Sequence, residues 1–213
     1  MAHLRAMVTK GQYLERATLI PVGDEVMEGL SHRGEHHPPL LIAPPAPDEG
    51  GGMDHVVAAE VAWASATSGH ATLRFNFRGV GASQGKRGGA LLPDLEAALR
   101  ALIQNTECTA PAVLSIGGSA PALLELAARH PALGGIALVN PARIRPEELL
   151  RLSVPLLAVA AEGYTHLPRA ALAAAVAEAG GTFHLVASAD TAFTRNLNEV
   201  GRLISHWLQH LRG

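Results

Sequence analysis

The chain has 213 residues, 48% of them hydrophobic and 17% charged, with a formal net charge of −2. This apolar content excludes a disordered chain, and the length suits one domain with a real core rather than two small ones. A near-neutral charge leaves no electrostatic footprint for nucleic acid or an anionic membrane.

In chain order, the apolar runs predict strands at Ala17–Val22, Val26–His32, Leu40–Ala43, Ala71–Phe77, Ala112–Ile116, Gly135–Val139, Pro155–Ala161 and Thr182–Ala187. Helical patterns fall between them at Met53–Ser68, Pro93–Asn105, Ala120–His130, Pro146–Leu152, Arg169–Ala179 and Arg195–Leu211. Val56, Val57, Glu60, Val61 and Ala64 show the helical period, whereas Leu156–Ala161 is apolar throughout and reads as a strand buried on both faces. Such alternation predicts an α/β fold with a mainly parallel sheet of about eight strands flanked by helices. The first two strands adjoin without a helix and are expected to form an antiparallel edge. Residues 1–14 are expected to form a loosely ordered segment ahead of a single domain spanning the chain.

The apolar stretches Pro38–Pro47 and Val154–Ala161 are too short and too interrupted to cross a membrane. The first eleven residues lack the apolar core of a signal peptide, so a cytoplasmic location is expected. Cys108 is the only cysteine, which excludes an internal disulfide and a cysteine-cluster metal site.

Three loops carry candidate chemistry. At Gly117-Gly118-Ser119-Ala120-Pro121 a strand ends in two glycines, and a serine stands before an apolar helix. This is the layout of a nucleophile elbow, with proline in place of the last glycine of G-x-S-x-G. The alternative is that Ser119 only caps the helix. Leu73-Arg-Phe-Asn76-Phe-Arg78-Gly79-Val-Gly81-Ala-Ser83-Gln-Gly85 runs from a buried strand into a glycine turn. There Arg78 either faces the crevice or ties neighbouring loops together. The third loop, Ala43 to Gly52, joins a strand to a helix where a backbone N–H can serve an oxyanion.

The string from His70 to Gly85, together with Gly50-Gly51-Gly52-Met53-Asp54 and the turn at Ser119, resembles the small, lid-less α/β-hydrolases of bacteria. It is similar to their dienelactone-hydrolase and serine-peptidase-like branches. The order and spacing of elements follow that family from Ala17 to Leu211. The resemblance implies a three-layer α/β-hydrolase core without a lid domain and a Ser–acid–His triad in that chain order. Ser119 falls on the nucleophile position. Tyr164 stands where the acid is expected, within Glu162-Gly163-Tyr164-Thr165-His166, and Thr191 stands where the histidine is expected. The oxyanion loop reads Pro44-Pro45-Ala46-Pro47 where the family resembles His-Pro-His-Pro. Pro45, Ala46, Ala120 and Arg78 are therefore the oxyanion or crevice candidates.

Two readings follow. In the first, the protein is a weak or inactive relative of the hydrolases that binds a small-molecule ligand or a protein partner, because serine is a poor nucleophile without a base. In the second, it is an active hydrolase of small esters, thioesters or other acyl compounds. Ser119 would then be served by a rearranged triad, with His166 as base and Asp190 as its orienting acid. No cofactor or metal site is expected. His206 and His210 are four residues apart but lack a third ligand. His32, His36 and His37 are expected on a solvated turn, and His184 in the core or at the sheet edge. A homodimer is the default assembly.

Overall fold

The computed structural model describes residues 14–211, so the expectation for residues 1–14 lies outside them but for its last residue. Eight strands make one sheet. They are β1 (Arg16–Val22), β2 (Glu25–His32), β3 (His36–Ala43), β4 (His70–Phe75), β5 (Ala112–Ile116), β6 (Gly135–Val139), β7 (Leu156–Ala161) and β8 (Thr182–Val186). Their order is β1-β2-β4-β3-β5-β6-β7-β8, antiparallel at β1–β2 and β2–β4 and parallel elsewhere. This is the mainly parallel sheet with an antiparallel edge that the sequence predicts.

Five helices cover it: α1 (Val56–Thr67), α2 (Leu92–Thr106), α3 (Ala120–Arg129), α4 (Arg169–Glu178) and α5 (Leu197–His210). Helices α1 and α5 pack on each other, α2 lies beside α3, and α4 packs on β7 and β8. Strands β4, β5, β6 and β7 are buried along their whole length, as helices on both faces require. The helix predicted at Pro146–Leu152 is instead a 3₁₀ turn, Pro146–Arg151. Glu148 N–H bonds Arg145 O and Leu152 N–H bonds Leu149 O, three residues back in each case. The segment is too short for an α-helix to repay its nucleation. It is also all that lies between β6 and β7 in the place of a lid.

Strand β3 lies between β4 and β5, so the chain leaves it in one direction and returns on its other side. The loops after β3 and β5 therefore diverge, which opens a crevice at the carboxyl ends of the strands. That crossover places the site.

Two histidines, His32, expected on a solvated turn, and His70, are core residues. His32 is 5% exposed and shares a 2.9 Å hydrogen bond with the Thr72 hydroxyl, its partner across β2–β4. His70 is 1% exposed; its Nδ1 pairs with Pro38 O, and its Nε2 is buried without a partner. Burial lowers the pKa of both rings, so the fold holds them neutral. An unfolded histidine takes up a proton near pH ~6.5, so the unfolded chain binds more protons below that value. Stability is thus complete above that pH and falls as the pH drops through the folded values. The expected result is a melting temperature that declines from neutral pH into mildly acidic buffer, with a shallower decline in His70→Gln. An unchanged slope in that variant would contradict the assignment.

Candidate functional site

Strand β5 ends at Ile116, and the chain turns through a 3₁₀ turn, Gly117–Ser119, into α3. The sharp point of this turn is Gly117, whose φ of +58° lies in the left-handed region that glycine adopts at little cost. Its carbonyl accepts the N–H groups of Ala120 and Ala142, so the N–H of Ala120, a candidate oxyanion donor, is spent within the turn.

Ser119 lies at the strand-to-helix junction, as expected, but already has right-handed helical backbone, with φ −82° and ψ −6°. It is 0% exposed, and its hydroxyl donates a 2.9 Å hydrogen bond back to Ile116 O. The placement of Ser119 on the nucleophile position is therefore corrected. It does not cap α3 with its side chain either. The reason is register: the turn falls on the first residue after the strand, so the G-x-S-x-G frame lies over Ser115-Ile116-Gly117-Gly118-Ser119. Ser119 takes the place of a small residue in the first helical turn. The signal in the sequence was the end of the apolar run at Ile116, which puts Gly117 at the point of the elbow.

The space above Gly117 is occupied by the chain itself. The loop after β3 forms a short 3₁₀ turn, Pro47–Glu49, closed by Gly50. Pro45 and Ala46 are buried in its wall rather than open to the crevice, and Ala46 O accepts the N–H groups of Glu49 and Gly51. The turn aims the Glu49 carboxylate at the elbow, where Oε2 accepts the Gly118 N–H at 2.9 Å. A Cβ on Gly117 would stand 2.9 Å from that oxygen, and one on Gly118 closer still to Oε1. The Glu49 side chain is 27% exposed. Arg143, from the loop after β6, holds it from outside, 3.3 Å from Glu49 Oε1 and 2.8 Å from Asp48 Oδ2. Each acidic neighbour raises the Arg143 pKa, first through the Asp48 hydrogen bond. In the oxyanion geometry of acyl transfer, the N–H of the residue after the elbow points at developing negative charge. Here that donor, Gly118, already holds a carboxylate.

The loops after β6, β7 and β8 are joined by Asn140, which the sequence reading passed over. Its Oδ1 accepts Ala161 N–H and its Nδ2 donates to Thr191 O, both at 2.9 Å. Tyr164 is buried, and its hydroxyl donates to Pro141 O at 2.5 Å. Burial raises its pKa, which keeps it neutral. Thr191 is exposed and joins this network only through its carbonyl.

The rearranged triad is not assembled. His166 is exposed, with its ring edge-on to Tyr164 at 5.8 Å. Asp190 is exposed as well, and its carboxylate accepts the N–H groups of Ala192 and Thr194 and the Thr194 hydroxyl. Those Thr194 bonds are the main cause of its lowered pKa. No hydrogen bond links Ser119, His166 and Asp190 among the described residues. An offset of one or two residues along each loop has turned the side chains outward. Asp190 lines an open depression of about 390 Å³ with Glu162, Gly163, Ser188 and Arg195; His166 is not part of its wall.

Arg78 proves to be the tie of the glycine turn. Its Nε donates to Asp94 Oδ1 at 2.6 Å, and a second guanidinium nitrogen to Glu25 Oε2 at 2.9 Å. Asn76 fixes the adjoining loops, accepting Met53 N–H at 2.6 Å and donating to Glu28 Oε1 at 2.7 Å. Among the described residues no three His, Cys, Asp or Glu side chains gather as a metal site, and no helix is long and apolar enough to cross a membrane.

Comparison of the sequence with protein-family models and with curated proteins gives no match. Solved structures, in contrast, match the fold over nearly the whole chain. An α/β serine hydrolase homologue from Coxiella burnetii superposes with a TM-score of 0.80 at 25% identity, covering 91% of this chain and 97% of its own. A lid-less α/β serine hydrolase from Xanthomonas campestris gives 0.76 at 21% identity, over 91% and 95%. Dienelactone hydrolase from Anabaena variabilis gives 0.78 at 20% identity, over 94% and 100%. The chain has the lid-less α/β-hydrolase fold.

The elbow geometry yields a stability test. Gly117→Ala forces a left-handed φ on a side chain and drives its Cβ toward Glu49, an expected loss of about 1–3 kcal/mol. The same substitution made in a Glu49→Ala background removes the collision and keeps only the backbone cost. Urea unfolding of the four proteins in the cycle checks this; equal losses in both backgrounds would show that Glu49 does not sit over the elbow.

Proposed function

We propose that this chain is a hydrolase-fold protein that does not carry out acyl transfer and binds a small-molecule ligand or a protein partner through its inherited surface. The observation that carries this reading is the Glu49 carboxylate on Gly118 N–H, above an elbow residue, Gly117, that has no side chain. A covalent mechanism needs a nucleophile at the elbow, a base to take its proton and an oxyanion donor free to meet the substrate. Gly117 supplies no nucleophile, Tyr164 and Thr191 supply no base at neutral pH, and Gly118 N–H is engaged. Ser119 does not substitute for them, since its hydroxyl is buried and committed to Ile116 O. The named neighbours include a serine hydrolase and a dienelactone hydrolase, which supports a common scaffold for this chain and theirs.

Loss of the base and nucleophile of a catalytic triad costs a factor of roughly 10⁴ to 10⁶ in turnover. Purified protein is therefore expected to hydrolyse p-nitrophenyl acetate no faster than its Ser119→Ala variant, and to resist labelling by a serine-directed fluorophosphonate. Stoichiometric labelling that disappears in Ser119→Ala would overturn the proposal and restore an active hydrolase.

A further inference from the structure

The end of α5 presents a pair of histidines to solvent. His206 and His210 are both exposed, on the face of the helix turned away from the buried Val200, Ile204 and Leu208. Their spacing along the chain puts them one above the other on that face. The ring centroids stand 4.2 Å apart, with the planes tilted by 50°. One metal ion can bridge two imidazoles so placed, since a zinc–nitrogen bond is about 2.0–2.1 Å long.

One of the rings is already held. His210 Nδ1 lies 2.7 Å from His206 O, a carbonyl that can only accept, so Nδ1 carries the proton. The lone pair of the neutral ring is then on Nε2, the nitrogen not bonded to the helix. A metal-ligating histidine takes this form: its other N–H goes to a carbonyl or carboxylate, which sets the tautomer and holds the ring. The bond also satisfies a carbonyl in the last helical turn. That capping role needs only His210; the ring of His206 beside it supplies a second nitrogen ligand. The nearest charge on the same stripe is neutralised. Arg202, one turn before His206, donates to both Glu199 oxygens, at 2.7 and 2.5 Å. A cation at the histidines therefore meets a closed ion pair rather than a free guanidinium.

We propose that His206 and His210 form a chelate site for one divalent transition metal of the zinc class, with both Nε2 atoms as ligands and water at the remaining positions. Imidazole suits zinc, copper and nickel, whereas calcium and magnesium take oxygen ligands. Binding replaces two of the ion's waters by the two ring nitrogens, with no change of oxidation state, and releases any proton held on those nitrogens. The pair is assembled only while α5 is helical, so the ion clamps the last turn of a helix that packs on α1. The site lies on α5, outside the loops that form the elbow, and stands whether or not the elbow is catalytic.

The test is calorimetric titration of the full chain with zinc chloride at neutral pH in a non-chelating buffer, with magnesium chloride as control. Zinc is expected to saturate this pair with one ion, and magnesium not to bind. His206→Ala and His210→Ala are each expected to weaken that step by about tenfold or more, because a lone imidazole lacks the second attachment. Both side chains are exposed, so neither variant loses core packing. His36 and His37, also exposed, remain in both variants and report zinc bound elsewhere. In urea, zinc is expected to raise the unfolding midpoint of the wild type and to leave both variants unmoved, as chelation by the folded helix requires. A zinc affinity unchanged in both variants, equal binding of magnesium, or a wild-type midpoint that does not move with zinc would each overturn the proposal.

Discussion

The interaction on which the site depends is a carboxylate held by a backbone N–H: Glu49 Oε2 on Gly118 N–H at 2.9 Å. A hydrogen bond to an ionised acceptor contributes about 1.5–3 kcal/mol, toward the low end for a side chain that is 27% exposed. The exposed pairing of Arg143 with Asp48 and Glu49 adds less, because water and salt screen it. Geometry matters more than that energy. The carboxylate can approach only because Gly117 and Gly118 have no side chains, and Gly117 can make the turn because left-handed backbone costs glycine little. One pair of glycines thus serves both the turn and the occupant above it.

The fold brings these residues together through its strand order. Glu49 follows β3 and Gly118 follows β5, sixty-nine positions apart in the chain but on adjacent parallel strands. Their connections leave in opposite directions, which is the place where α/β sheets bind ligands. In this chain the crevice at that place is filled from within. Asn140 extends the constraint to the other loops, since it bonds to the end of β7 and to the loop after β8 at once. With Tyr164 tied to Pro141, the loops after β6, β7 and β8 are fastened to one another through structural hydrogen bonds.

Much of the fold was legible in the sequence because burial on two faces leaves unbroken apolar runs. β5 and β6 were predicted to the residue, and β7 to within one position. Helices α3 and α4 were legible to one residue at their ends. Where prediction failed, short-range geometry decided: the segment after Arg145 had a helical composition but only enough length for a 3₁₀ turn. At the site, Ser119 drew attention as the nearest serine to a glycine pair, yet the elbow is set by where the strand ends, two residues earlier. Tyr164 is tied to Pro141 O, and Thr191 joins the site only through its carbonyl. Glu49 and Arg143 were not legible, since nothing local marks a glutamate in a Pro- and Gly-rich loop as the partner of an amide in another loop. His70 was missed for a related reason: its burial comes from β3 and α1, not from its own neighbours in sequence.

The elbow amide, occupied by the chain's own carboxylate, reports that contact itself. The most direct measurement is the Gly118 amide in the ¹H–¹⁵N spectrum of the wild type and of Glu49→Ala, together with its rate of hydrogen exchange. The Gly118 proton is expected strongly downfield and protected in the wild type, moving upfield and exchanging faster once the carboxylate is removed. A Gly118 amide with the same shift and the same protection in both proteins would contradict it.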